Sequence, residues 1–200
     1  MSSIVIAPKR STLADYVTMS RVGTLSLMVG FAVLLGLSAQ ISIPLGFTPV
    51  PLTGQTFAVL VGAAALGPLR ALGGSALYLA LGLAGVPWFA GGAGGISVAS
   101  APTFGYLVGF LAASLVVGMM ARRGIDRRFI GMAAVMIVGN VVIYAFGATW
   151  LAASIHVSLA KAITLGVTPF LVGDLIKLAL ADALVPTIWR GIKRNSHLGA

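Results

Sequence analysis

The chain has 200 residues, of which 58% are hydrophobic and only 8% are charged. Because a soluble domain carries about 25% charged residues, this composition indicates an integral membrane protein. Cysteine is absent, which excludes disulfides, thiolate metal sites and a cysteine nucleophile. The net charge is +9, and the basic residues lie at the ends of apolar runs. This distribution argues against a nucleic-acid-binding patch.

Two long stretches without a charged residue organise the chain, 22–69 and 71–121. Each is too long for a single membrane span, which needs about 20 apolar residues. Each is interrupted by a loop rich in proline or glycine, and the prolines of the first loop favour polyproline character. The predicted spans run, in order, over 22–41, 54–68, 70–85, 103–121, 129–151 and 169–190, with a short interfacial helix within 152–168.

The basic residues determine the predicted topology. They collect in the N-terminal tail, in the turn 122–128 and at the C-terminus, whereas the loops 42–53 and 87–102 carry no charge. Because positive residues favour the cytoplasmic side, both termini are predicted to be cytoplasmic and both loops to lie outside. We therefore expect an all-α integral membrane protein, a bundle of six transmembrane helices with three parts: a cytoplasmic N-terminal tail 1–21, a substrate-binding membrane domain 22–190 and a cytoplasmic C-terminal tail 191–200.

The last predicted helix contains an acid and a base, Asp174 and Lys177, which share one face at i,i+3 spacing. Ionisable groups inside a span usually face a protein interior or a water-filled cavity, so the pair is a candidate binding site. The lysine would attract a carboxylate, and the aspartate would accept N–H groups from a small amphipathic ligand. The alternative is an internal ion pair that only locks the helix to its neighbours.

The second outer loop contains the glycine-rich run Gly91-Gly92-Ala93-Gly94-Gly95. Glycine allows backbone to approach a ligand closely, and the neighbouring Trp88 and Phe89 could cover a ring. The alternative is a flexible outer turn. No glycine is followed by lysine, so the chain has no phosphate-binding P-loop with which to hydrolyse ATP.

Four other polar positions are candidates for ligand contact or for packing. Gln55 lies at the outer start of the second helix, where its amide could hydrogen-bond a polar ligand. Asn140 could bind a ligand or hydrogen-bond a neighbouring helix. Tyr106 is a further candidate, although it and Tyr144 also fit a role as anchors at the membrane interface.

Small residues at spacings of four and three on the first helix, Ala32, Gly36 and Ala39, form a face on which another helix could pack closely. This face could dock a membrane subunit, or it could pack within the chain.

Five motifs, in this order and spacing, resemble the BioY family of biotin-binding S components of energy-coupling factor (ECF) transporters. They are Ile43-Pro-Leu-Gly-Phe-Thr-Pro-Val-Pro-Leu-Thr-Gly-Gln55, Leu66-Gly-Pro-Leu-Arg70, Pro87-Trp-Phe-Ala-Gly-Gly-Ala-Gly-Gly95, Pro102-Thr-Phe-Gly-Tyr-Leu-Val-Gly-Phe110 and Pro169-Phe-Leu-Val-Gly-Asp-Leu-Ile-Lys177. The resemblance covers about residues 22–190.

This resemblance implies a six-helix subunit of the bacterial plasma membrane that captures biotin from outside. It also implies two kinds of partner, a transmembrane coupling protein and a pair of ABC ATPases that use ATP, and no cofactor in the chain itself. Family site residues carry over to Gln55, the segment 91–95, Asp174 and Lys177. At the middle of that segment some relatives have a polar residue where this chain has Ala93.

Other functions stay open from the residues alone. The chain could bind a different vitamin, or act as a stand-alone channel or carrier, although the absence of a strong internal repeat argues against an inverted-repeat carrier. An enzyme is not expected, because acid–base or metal chemistry needs clustered side chains, and the chain has only four acidic residues and two histidines, which are scattered.

Overall fold

The computed structural model describes residues 12–17 and 20–198, with side chains as far as Ile192. Most of the predicted N-terminal tail, 1–21, lies outside the described residues. The predicted C-terminal tail, 191–200, is described mainly as the continuation of the last helix, which ends at Leu198.

The described residues are predominantly helical. The α-helices are α1 Arg21–Gln40, α2 Gln55–Leu66, α3 Pro68–Leu83, α4 Phe104–Arg122, α5 Phe129–Ser154, α6 Leu159–Gly166 and α7 Leu171–Leu198. Single 3-10 turns lie at Leu13–Tyr16, Ala90–Gly92, Ile96–Ser100, Ile125–Arg127 and Thr168–Phe170. The predicted helix boundaries agree with these to within a few residues, except that the last helix continues to Leu198, eight residues beyond the predicted end at 190.

Within the described part of the chain, four stretches are long and apolar enough to cross a membrane, namely Arg21–Gln40, Phe104–Arg122, Phe129–Ser154 and Leu159–Ile192. The helices α2 and α3 are shorter, with 12 and 16 residues. This supports an all-α multi-pass membrane protein.

The turn between α2 and α3 is a single glycine followed by a proline. Gly67 adopts a φ of 81°, a left-handed value that favours glycine, and Pro68 occupies the first turn of α3, where its missing N–H costs no helical hydrogen bond. The chain therefore reverses direction without a loop, which places α2 and α3 side by side.

The segment between α1 and α2 forms a short β-hairpin, which differs from the predicted polyproline loop. Strand β1 (Ser42–Ile43) pairs antiparallel with β2 (Leu52–Thr53), and the intervening residues contain the three prolines. Proline lacks an amide N–H, so the ladder stays two residue pairs long. The hairpin lies against the start of α7, because a Cβ at Gly173 would come within 3.3 Å of the Leu52 side chain.

The small-residue face of α1 points into the protein, contrary to the docking prediction. Ala32 is 1% exposed, Ala39 is fully buried, and a Cβ on the buried Gly36 would lie 2.9 Å from the indole ring of Trp88. Since the rest of the chain already covers these three residues, they are not available to a partner subunit. The outward face of α1 carries larger apolar residues: Val22, Leu25, Val29, Val33 and Leu37.

A cluster around Trp189 joins α7 to the turn between α4 and α5. The indole N–H of Trp189 donates to Asp126 Oδ2 at 2.7 Å, the guanidinium of Arg127 lies 4.5 Å from the indole ring, and Tyr16 meets the ring edge-on. Burial raises the pKa of Asp126 to about 6, against the opposing effect of these neighbours. This cluster fixes the end of the bundle that lies opposite the cavity described below.

Candidate functional site

One end of the bundle contains a cleft, here called the cavity. It lies where α2, α4 and α7 begin and where the hairpin and the connection between α3 and α4 meet. The residues that line it are Val50, Pro51, Leu52, Thr53, Gln55, Thr56, Phe89, Ala90, Ala93, Val98, Ala101, Thr103, Tyr106, Leu107, Phe110, Tyr144, Phe170, Asp174 and Lys177.

The cavity has the polarity of a small-molecule site. Its walls are mostly apolar, and its mouth opens to solvent. Pockets for small ligands combine apolar walls with a few polar groups. Here the polar groups are few and concentrated, so the cavity suits an amphipathic ligand.

The amine of Lys177 is held at the cavity wall by three groups. Its Nζ donates to the Thr53 carbonyl oxygen at 2.8 Å and to Thr56 Oγ1 at 2.7 Å, and lies 3.8 Å from Asp174 Oδ1. The lysine therefore connects α7 to the hairpin and to the first turn of α2. Its charge faces the cavity rather than lipid.

The carboxylate of Asp174 has one satisfied and one free oxygen. Tyr144 on α5 donates its hydroxyl to Oδ2, whereas Oδ1 is buried and has no hydrogen-bond partner among the described residues. The residue is only 7% exposed and lines the cavity. The carboxylate therefore lies between the Tyr144 hydroxyl and the Lys177 amine at the cavity wall, where its oxygens can accept hydrogen bonds but cannot donate them.

Gln55 belongs to a hydrogen-bonded network that reaches across three elements. Its Nε2 donates to the hydroxyl of Tyr78 on α3 at 2.8 Å, and that hydroxyl lies 3.4 Å from the carbonyl oxygen of Trp88. The indole N–H of Trp88 returns a hydrogen bond to the Tyr78 carbonyl at 3.0 Å, and Gln40 at the end of α1 donates to the Trp88 carbonyl at 3.1 Å. The network supports the connection between α3 and α4, residues 84–103, which is the segment that covers the cavity.

The structure brings five of the predicted substrate-binding residues to the cavity wall: Gln55, Ala93, Tyr106, Asp174 and Lys177. Six others do not line the cavity: Trp88, Gly91, Gly92, Gly94, Gly95 and Asn140. Ligand contact by any of these residues stays a prediction.

The glycines determine the backbone conformation of the segment that covers the cavity. Gly95 has a φ of 92° and donates its N–H to the Gly82 carbonyl at the end of α3, at 2.8 Å. A Cβ on Gly94 would lie 2.6 Å from the Val86 carbonyl oxygen, so no larger residue fits there. These positions hold the backbone close to α3, and they place Ala93 and Phe89 against the cavity.

Asn140 lies one helical turn from Tyr144 on the same face of α5. It is 9% exposed, and its Oδ1 has no hydrogen-bond partner among the described residues. Oδ1 therefore makes no interhelical hydrogen bond within the described part of the chain, and ligand contact by this residue stays a prediction.

Several residues of the site are not identifiable from the sequence. The role of Tyr144 differs from the predicted interface anchor, since its hydroxyl reaches the Asp174 carboxylate. In the sequence Tyr78 and Gln40 are only polar residues near the cavity ends of apolar helices, and this does not identify them as part of the site. The apolar lining from Val98 to Phe110 is indistinguishable in sequence from residues that face lipid.

Comparison with known proteins gives consistent results. A family model described as the BioY family matches residues 10–194. A biotin transporter BioY from Rhizobium etli is 36% identical over 166 residues, which cover 80% of this chain and 87% of the relative. A biotin transporter BioY from Thermotoga maritima is 40% identical over 151 residues, covering 76% and 86%. A probable biotin transporter BioY from Pyrococcus horikoshii is 40% identical over 156 residues, covering 78% and 90%.

The fold also matches a solved structure. A crystal structure described as the S-component for biotin from an ECF-type ABC transporter superposes with a TM-score of 0.77 at 24% sequence identity. The match covers 86% of this chain and 95% of the other. At this identity the likeness establishes the fold.

Proposed function

This chain belongs to the BioY family, and we propose that it captures biotin as the substrate-binding membrane subunit of an ECF-type importer. It is a transport protein and not an enzyme. The family assignment rests on a match to nearly the whole chain and on relatives that are named biotin transporters.

The observation that carries the proposal for biotin is the pairing of a carboxylate and an amine in one apolar cavity. Biotin has a carboxylate at one end and a cyclic urea with two N–H groups at the other, joined by apolar carbon and sulfur. Lys177 supplies a cation for a carboxylate, and the carboxylate of Asp174 supplies acceptor oxygens for an N–H group.

The proposed orientation in the membrane has six spanning helices, α1 to α5 and α7, with both termini in the cytoplasm. The distribution of charge supports it, because the arginines of the 122–128 turn and the last residues of α7 lie at the end opposite the cavity. The cavity then opens to the outside of a plasma membrane, where it can capture a vitamin.

The proposed partners are a transmembrane coupling protein and a pair of ABC ATPases. Two observations support an external source of energy: the sequence has no P-loop, and the solved neighbour is described as a component of an ABC transporter. The buried small-residue face of α1 does not serve as the docking surface in this proposal.

The test is direct. Protein purified in detergent is extracted and the small molecules that copurify are identified by mass spectrometry, followed by calorimetric titration with biotin and with a panel of other vitamins. We expect biotin in the extract and tight binding of biotin alone. Tight binding of another vitamin, with none of biotin, would contradict the proposal. Uptake into vesicles by the chain without an ATPase would instead indicate a stand-alone carrier.

A further inference from the structure

Tyr78 is a buried tyrosine that does not line the cavity but touches a residue that does. It is 1% exposed, lies near the end of α3 and packs its ring against Trp88 and Phe89, at centroid distances of 5.2 and 5.3 Å. Its hydroxyl lies between the side chain of Gln55 and the carbonyl oxygen of Trp88. We propose that Tyr78 is a specificity-determining positioning residue, which orients the Gln55 amide so that its oxygen is offered to an N–H donor of the ligand.

The direction of the hydrogen bonds follows from what each group can donate. In the structure the hydroxyl of Tyr78 accepts from Gln55 Nε2 at 2.8 Å. Its own single hydrogen is then directed to the Trp88 carbonyl oxygen, 3.4 Å away, which can only accept.

The contacts of the Gln55 amide oxygen fit the same orientation of the side chain. The hydroxyl of Thr53 accepts from the backbone N–H of Gln55 at 3.3 Å, so its own hydrogen is free to point to Gln55 Oε1, which lies 3.5 Å away. An amide oxygen has two lone pairs, and a hydrogen bond this long leaves at least one of them unused. The amide is therefore fixed with its oxygen available and its NH₂ engaged.

This inference rests on the proposed function and deepens it. Gln55 and Asp174 both line the cavity, so the amide oxygen of the first and the carboxylate of the second are two hydrogen-bond acceptors on its wall. The cavity then selects a ligand that carries N–H groups, such as a cyclic urea, over an analogue of the same shape that offers only acceptors. A buried acceptor left without a donor weakens binding of the wrong ligand.

A double-mutant cycle tests the proposal by calorimetric titration of the full chain in detergent with biotin. The variants are Tyr78→Phe, which keeps the ring contacts and removes the hydroxyl, Gln55→Ala and the double variant. We expect Tyr78→Phe to weaken biotin binding about tenfold in the wild-type background and to have almost no effect in the Gln55→Ala background. Tyr16→Phe, at the opposite end of the bundle, is the matched control and should bind as the wild type does.

Each outcome has a defined meaning. If Tyr78→Phe weakens binding equally in both backgrounds, the hydroxyl acts independently of Gln55 and the proposal is wrong. If the wild type binds biotin tightly and Tyr78→Phe binds equally well, this inference fails while the proposed function stands. If the wild type does not bind biotin, the proposed function itself fails.

A second pair of variants covers the case in which Tyr78→Phe does not fold. Gln55→Glu keeps acceptor oxygens at the position, whereas Gln55→Met keeps the length and removes them. We expect Gln55→Glu to bind biotin more tightly than Gln55→Met by about tenfold. Equal binding by the two variants would overturn the assignment of Gln55 as an acceptor.

Discussion

Replacing Lys177 by methionine is expected to abolish most of the affinity for biotin. Methionine has similar length and no charge, so the change removes the amine that lies 2.8 Å from the Thr53 carbonyl, 2.7 Å from Thr56 Oγ1 and 3.8 Å from the Asp174 carboxylate. The side chain of Asp174 is only 9% exposed, so its charge then stays buried without a neighbouring cation.

The magnitude follows from the charge pair that Lys177 would form with the carboxylate of biotin. Truncating one partner of a buried, hydrogen-bonded charge pair across a binding interface costs about 2–5 kcal/mol. That corresponds to a loss of about 30-fold to 4,000-fold in affinity. Calorimetric titration with biotin in detergent measures it, with size-exclusion elution and circular dichroism as checks that the variant is folded.

Lys161→Met is the matched control, because Lys161 is an exposed lysine on α6 that does not line the cavity. It should bind biotin as the wild type does. A folded Lys177→Met protein whose dissociation constant changes less than about threefold, or about 0.65 kcal/mol, would refute the assignment of this amine to the ligand.

Three further predictions concern other parts of the molecule. Gly36→Leu should weaken biotin binding, because its side chain would displace the indole of Trp88 and with it the segment over the cavity. Tyr144→Phe should weaken binding about tenfold, because the cavity carboxylate loses the hydroxyl that donates to it. Asp126→Asn should change how stability depends on pH. Burial raises the folded-state pKa of Asp126 from 3.8 to about 6, so the native state binds the extra proton and wild-type stability falls as the pH rises through that window. The asparagine variant should lack this component.

The controls and the contradicting results are as follows. Gly30→Leu adds the same side chain to α1 where a Cβ meets open space, and should leave affinity unchanged. Equal affinity in Gly36→Leu would show that the indole contact does not support the cavity. An unchanged dissociation constant in Tyr144→Phe would show that the Tyr144 hydroxyl does not contribute to biotin binding. For Asp126→Asn, melting temperatures at pH 4 and pH 7 are compared with those of the wild type, and an identical pH dependence would contradict the raised pKa.

Much of the fold is predictable because a membrane imposes a simple requirement on the sequence. A span needs an apolar run of sufficient length, and basic residues collect at one side, so the charge-free stretches predict the helices closely. The relation between Asp174 and Lys177 is predictable for a similar reason. Two ionisable side chains at i,i+3 in a span have to face an interior, and the structure places both on the cavity wall.

What the sequence could not show is which apolar or small residues face inward. In lipid both faces of a helix are apolar, and α5 is apolar on every side, so its periodicity does not reveal that Tyr144 points to the cavity. Small residues on α1 fit packing within the chain as well as docking, and only the contact between Gly36 and Trp88 decides between them. The sequence did not predict the hairpin either, because the hairpin depends on pairing between residues on either side of the three prolines.

Trp88 is a fluorescent probe of the segment that covers the cavity. The chain has three tryptophans, and they lie in three different places. Trp88 donates to Tyr78 beside the cavity, Trp150 donates to the Ala101 carbonyl, and Trp189 donates to Asp126 at the opposite end. Replacing Trp150 and Trp189 by phenylalanine would leave Trp88 as the single tryptophan, whose emission would follow the arrival of a ligand without any added label.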